Sequence, residues 1–92
     1  MRYPHMQTFP EYFEDVVDAI SALGYKYLYV SDNVYTFLDG EEKNGDVTYL
    51  TVDMTRKEVN KTRHVYWGKW THNKEELPAE HEEAIKKLFK KY

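Results

Sequence analysis

The sequence predicts an α+β domain: a four-stranded antiparallel meander with one helix at each end, both helices packed on one sheet face. The order is α-β-β-β-β-α, and three observations predict it. Apolar residues recur at helical spacing near the two ends, at Phe13, Val16, Val17, Ile20 and Leu23 and again at Ile85, Leu88, Phe89 and Tyr92. Between them, residues 25–70 alternate with the period of two that marks strands. The connections between these strands are short, so sequence neighbours pair as antiparallel neighbours.

Each element has its own signal. Thr8 is a helix N-cap, Pro10 suits the first turn, and Glu11 completes a capping box. The first helix puts Glu11, Glu14, Asp15 and Asp18 on the face away from its apolar stripe, and Gly24 ends it. Tyr25 to Ser31 reads as the first strand, Asp32-Asn33 as a tight turn, and Val34 to Leu38 as the second strand. An acidic, glycine-punctuated loop follows, from Asp39 to Gly45. Asp46 to Arg56 reads as the third strand, residues 58–61 as a turn, and Thr62 to Trp70 as the fourth strand. His72 to Leu77 reads as a polar connection, and Pro78 opens the last helix, whose C-terminal lysines suit its dipole. Residues 1–92 then make one domain, with residues 1–7 as a flexible tail.

Residue parity divides the sheet into two unlike faces. Leu28, Val30, Val34, Leu38, Leu50, Val52, Met54, Val65 and Trp67 group as an aliphatic face. Tyr25, Tyr27, Tyr29, Tyr35, Phe37, Tyr49, His64, Tyr66 and Trp70 group as an aromatic one. The helices are expected on the aliphatic face. The aromatic face is then left to solvent, to a partner or to a second copy of the chain, as tyrosine suits a surface with one wet end.

Composition excludes several classes. With 92 residues and no cysteine, the chain is one small domain without disulfides or thiolate metal sites. No apolar run is long enough to cross a bilayer, and Met1 to His5 lacks the hydrophobic stretch of a signal peptide, so a cytoplasmic protein without membrane partners is expected. The net charge of −3 hides an asymmetry. Residues 1–54 carry three basic against ten acidic side chains, and residues 55–74 carry six basic against one acidic. Such a division points to a charged partner, or the two parts neutralise each other within the fold.

No catalytic motif emerges, so a non-enzymatic binding protein without cofactor is expected. The acids of the 39–46 loop lack an apolar surround and the ligand spacing of a calcium loop. His64 and His72 lie eight residues apart, about 27 Å along a single strand, and so are expected not to share a metal ion. His81 lies on the apolar stripe of the last helix as a packed histidine.

Two protein-binding surfaces compete. One is the aromatic face, with Tyr25, Tyr27, Tyr29, Tyr35, Tyr49, Tyr66 and Trp70, residue types enriched at interface hot spots. The other is an acidic surface made by Glu11, Glu14, Asp15, Asp18, Glu41 and Glu42. The alternative partner is nucleic acid, met by Arg56, Lys61, Arg63 and Lys69 for phosphates and by neighbouring rings for bases. In composition alone, a small, acidic, tyrosine-rich chain of this kind resembles the inhibitors that phages encode against host or defence proteins, which implies a protein-binding inhibitor or regulator. The element order also resembles double-stranded RNA-binding domains, but the fourth strand and the acidic first helix depart from them.

Overall fold

The computed structural model describes residues 12–40, 46–66 and 68–92. Helix α1 (Phe13–Ser21) is followed by β1 (Tyr25–Ser31), β2 (Val34–Asp39), β3 (Asp46–Asp53), β4 (Glu58–Tyr66) and β5 (Trp70–Glu75), and α2 (Ala79–Lys91) closes the chain. The strands form one antiparallel sheet in the order β1-β2-β3-β4-β5. The α+β class and the meander match expectation. The capping residues Thr8, Pro10 and Glu11, the 1–7 tail, residues 41–45 and Trp67 of the expected aliphatic face lie outside the described residues.

The sheet has five strands rather than four. The chain reverses between Tyr66 and Trp70, which pair directly, and Gly68 at φ +80° supplies a conformation that a side chain resists. The segment expected to be a polar connection therefore returns as β5. Its polar sequence, Trp-Thr-His-Asn-Lys-Glu, suits an edge strand, which must present one free row of backbone groups without inviting further pairing. The β3–β4 turn also falls earlier than expected. The Asp53 carboxylate accepts hydrogen bonds from the Thr55 and Arg56 amides, each at 3.0 Å, so β3 stops at Asp53 and β4 resumes at Glu58. The Asp32-Asn33 turn is as predicted, with both residues at positive φ as a type I′ turn requires.

The register decides which side chains meet the helices, and here the predicted faces are corrected. Tyr35 stands opposite Val52, and Phe37 opposite Leu50, so odd positions of β2 share a face with even positions of β3. A bulge in β1 adds a second offset. Tyr27 pairs with Phe37, but Tyr29 pairs with Thr36, so Leu28 is the extra residue and Val30 returns to the face of Tyr25 and Tyr27. The helix-covered face is thus mixed: Tyr25, Val30, Tyr35, Phe37, Leu50 and Val52 join Val16 and Ile20 of α1 and Ile85, Leu88 and Phe89 of α2 in one core. Leu28, Val34 and Leu38, expected beneath the helices, lie on the opposite side or at its border. Parity is preserved along β2 to β5 and broken within β1 by its bulge, and the turns change which parity points inward from one strand to the next.

Aromatic rings make the joint between α1 and the sheet. Phe13 meets Tyr27 edge-on at 5.3 Å and lies over Tyr35 at 6.1 Å, while Phe37 packs against both tyrosines. Such ring pairs add about 0.5–1.5 kcal/mol beyond the area they bury. At the end of α1, Gly24 at φ +104° donates its amide to the Ser21 carbonyl and turns the chain into β1. The helices hold each other at their ends: Tyr12 and Tyr92 stack with centroids 3.8 Å apart, and the Tyr92 hydroxyl donates to Asp15.

The core carries one polar anomaly. Tyr35 is fully buried, and its hydroxyl has no hydrogen-bond partner among the described residues. Tyr35→Phe is therefore expected to leave stability unchanged or raise it by up to about 1 kcal/mol. Phe37→Ala, at an equally buried ring, is expected to cost about 3–5 kcal/mol. Urea denaturation of the two variants checks both, and a clear loss in Tyr35→Phe would reveal a partner for that hydroxyl.

Candidate binding face

The second face of the sheet is free of both helices, and the strand pairings lay it out in rows. Tyr29, Thr36, Thr51 and Asn60 stand side by side across β1 to β4. Lys26, Leu38, Tyr49, Thr62 and Lys74 form the next row, across all five strands. Val47, His64 and His72 follow, and then Tyr66 opposite Trp70. The rings thus stand at two corners, with Tyr49 and His64 near the centre and threonine hydroxyls between.

Leu28, Tyr29, Thr36, Tyr49, Thr51, Thr62 and His64 enclose a shallow depression of about 400 Å³ on this face. The β1 bulge lets the consecutive residues Leu28 and Tyr29 both line it. Its lining is mostly apolar, and Thr36, Thr51 and Thr62 add hydroxyls without charge. Tyr29 borders it, and Tyr66 and Trp70 stand beyond His64 at another corner of the face; the three are each at least half exposed, at 58%, 50% and 53%. Tyr66 and Trp70 lean together with centroids 5.3 Å apart, as cross-strand partners at the end of the β4–β5 hairpin. Charges on this face sit at its periphery, on Lys26, Asp53, Glu58 and Lys74.

Of the seven aromatic residues predicted to meet a partner, four are placed to do so: Tyr29, Tyr49, Tyr66 and Trp70. Tyr25 and Tyr35 are buried beneath the helices, and Tyr27 is half-buried against Phe13, because of the register described above. Of the acidic set, Glu14, Asp15 and Asp18 are exposed on α1, and Glu11, Glu41 and Glu42 lie outside the described residues. Asp15 is engaged within the fold, by the Tyr92 hydroxyl and by Lys91 at 3.7 Å, and these contacts hold its carboxyl below the usual range.

The basic set is dispersed. Lys61 and Arg63 project from the helix side of β4, where Lys61 meets Asp39 at 2.8 Å and Arg63 pairs with Asp46. Burial works against the Lys61 charge, but Asp39, Tyr25 and Glu75 outweigh it and raise its pKa. Beside it the Tyr25 hydroxyl and His81 Nδ1 are 2.7 Å apart, a sheet-to-α2 hydrogen bond. Arg56 and Lys69 are exposed in the turns that flank β4. The four cations therefore make no shared surface.

Sequence reasoning missed the threonines, Leu28 and, above all, the meeting of two histidines. His64 and His72 are directly opposed on β4 and β5, with ring centroids 4.2 Å apart. The expectation that about 27 Å separates them assumed one continuous strand; the reversal at Gly68 folds that length in two. The only available signal was that glycine. Tyr49 meets the His64 ring edge-on at 5.0 Å. Burial, and then the neighbouring His72, push the His64 pKa below its ordinary value.

Comparison of the chain with protein-family models, with curated protein sequences and with solved structures finds no match.

Because the folded state disfavours the His64 imidazolium, the unfolded chain takes up this proton first as pH falls. The contribution to stability is present in full above about pH 6.5, the ordinary histidine value, and declines from there down to the folded-state pKa. A proton NMR titration is expected to show a His64 midpoint below about 6.5. His64→Gln should flatten the dependence of urea stability on pH in that window, and an unaltered profile would contradict the assignment.

Proposed function

We propose that this protein is a non-enzymatic binding protein that engages another protein through the open face of its sheet, and so acts as an inhibitor or regulator of that partner. One observation carries the reading: Tyr29, Tyr66 and Trp70 hold large rings in water on a face with few charges. Leaving such rings exposed forgoes their burial, and Tyr and Trp are the side chains that most often anchor interfaces. The shallow depression beside Tyr29 offers a partner side chain a place to enter, with threonine hydroxyls and His64 to meet its polar atoms.

Two features favour this face over the other surfaces considered. The acidic helix presents Glu14 and Asp18, but Asp15 is spent on the joint between the helices. Of the four cations expected to meet phosphates, Lys61 and Arg63 pair with Asp39 and Asp46, on the side away from the exposed rings, which weakens a phosphate-binding reading. The charge asymmetry of the sequence is in this part neutralised internally.

The test begins with a pull-down from the native host, followed by calorimetry with the captured protein. Tyr29→Ser, Tyr66→Ser and Trp70→Ser, all at exposed positions, should leave the circular dichroism spectrum unchanged. At least one is expected to weaken binding by about 30-fold or more, the scale of a hot spot. Glu14→Gln with Asp18→Asn should change affinity by less than about threefold, the scale of an exposed ion pair. The proposal fails if the three ring variants bind normally. It also fails if the protein instead binds single-stranded oligonucleotide with steep salt dependence, or if light scattering shows that the face is closed by a second copy.

A further inference from the structure

We propose that His64 and His72 form a two-histidine site for a divalent transition-metal ion, strongest for Cu2+ and weaker for Ni2+ and Zn2+. The pair stands in direct register across β4 and β5, with centroids 4.2 Å apart and ring planes at 61°. Opposed side chains of an antiparallel pair have Cβ atoms about 4.5–5.5 Å apart, and an imidazole nitrogen binds zinc at about 2.0–2.1 Å. Two rings so placed can converge on one ion by side-chain rotation, with neither strand displaced. Imidazole is a ligand that suits copper, nickel and zinc alike, and the intrinsic order of divalent affinities puts Cu2+ highest.

The surroundings fit a ligand role. The edge contact from Tyr49 and the half-buried position of His64 narrow the orientations its ring can take, so less freedom is lost when an ion is bound. His72 is exposed and leaves the approach open. Burial disfavours the imidazolium of His64, and a metal takes only the neutral ring. Lys74 is the next residue on this face of β5, but it is exposed and its long stem lets the ammonium move away. Among the described residues no group of three metal-binding side chains occurs. The ion would therefore keep water in its other positions, where a donor from another molecule can replace it. Such a site is an open one, weaker than a closed structural zinc centre.

Binding would also tie the polar edge strand β5 to β4, and this gives a readout that needs no partner protein. The 92-residue chain is titrated with NiCl2 at pH 7.5 and followed by calorimetry and by thermal unfolding. One equivalent is expected to bind, and the melting temperature should rise by about 5–10 °C for each tenfold excess over Kd. His72→Asn, at an exposed position, should abolish the rise, whereas His5→Asn should keep it. Substoichiometric Cu2+ should broaden the NMR signals of His64 and His72 and spare His81. No thermal shift at millimolar nickel overturns the proposal, as does a shift that survives unchanged in His72→Asn. Because no partner is used, these results stand apart from the fate of the protein-binding reading.

Discussion

Tyr35 opposite Val52 and Phe37 opposite Leu50 is the pairing on which the rest of the molecule depends. A strand slipped by one residue turns its whole side-chain set over, so this register commits Tyr35, Phe37, Leu50 and Val52 together to the helix side. Their burial under Val16, Ile20, Ile85, Leu88 and Phe89 then fixes where α1 and α2 can sit. The β1 bulge makes the arrangement possible for the first strand. Without the extra residue at Leu28, Tyr27 and Val30 could not both face the core, and Tyr29 would not reach the rim of the open face.

The two faces that result differ in how they handle polarity. On the helix side, polar groups are paired at close range: Lys61 with Asp39, Arg63 with Asp46, and Tyr25 with His81. These contacts join the basic fourth strand to acids of β2 and β3, which is why a chain divided into acidic and basic parts need not present a charged surface. On the open side, hydroxyls, imidazoles and rings replace ion pairs. A face of that kind discriminates by shape and hydrogen bonding more than by long-range attraction.

Much of the fold is legible in local sequence, and the reason is that its signals are local. The stripes of α1 and α2, the Gly24 terminator, the Asp32-Asn33 turn and Pro78 each act through their neighbours in the chain. The strand limits near Asp53 and Tyr66 were harder, because they depend on a side chain folding back onto its own backbone and on one glycine between two tryptophans. The candidate binding face was half legible. Tyr29, Tyr49, Tyr66 and Trp70 carry the right chemistry and lie where they were expected, but nothing local to Tyr25, Tyr27 or Tyr35 separates them from that set. The threonines and His72 carried no signal by themselves, since their place on this face comes from the strands beside them.

By itself, then, the sequence determined the α+β class, the two amphipathic helices, the antiparallel meander and the abundance of tyrosine in its strands. These follow from periodicity, turn chemistry and composition, all of which act over a few residues. Only the tertiary structure decided which tyrosines are core and which are surface, that β5 exists as an edge, and that His64 and His72 meet. Each of those depends on pairing between strands, where one bulge or one reversal of the chain changes which side chains become neighbours.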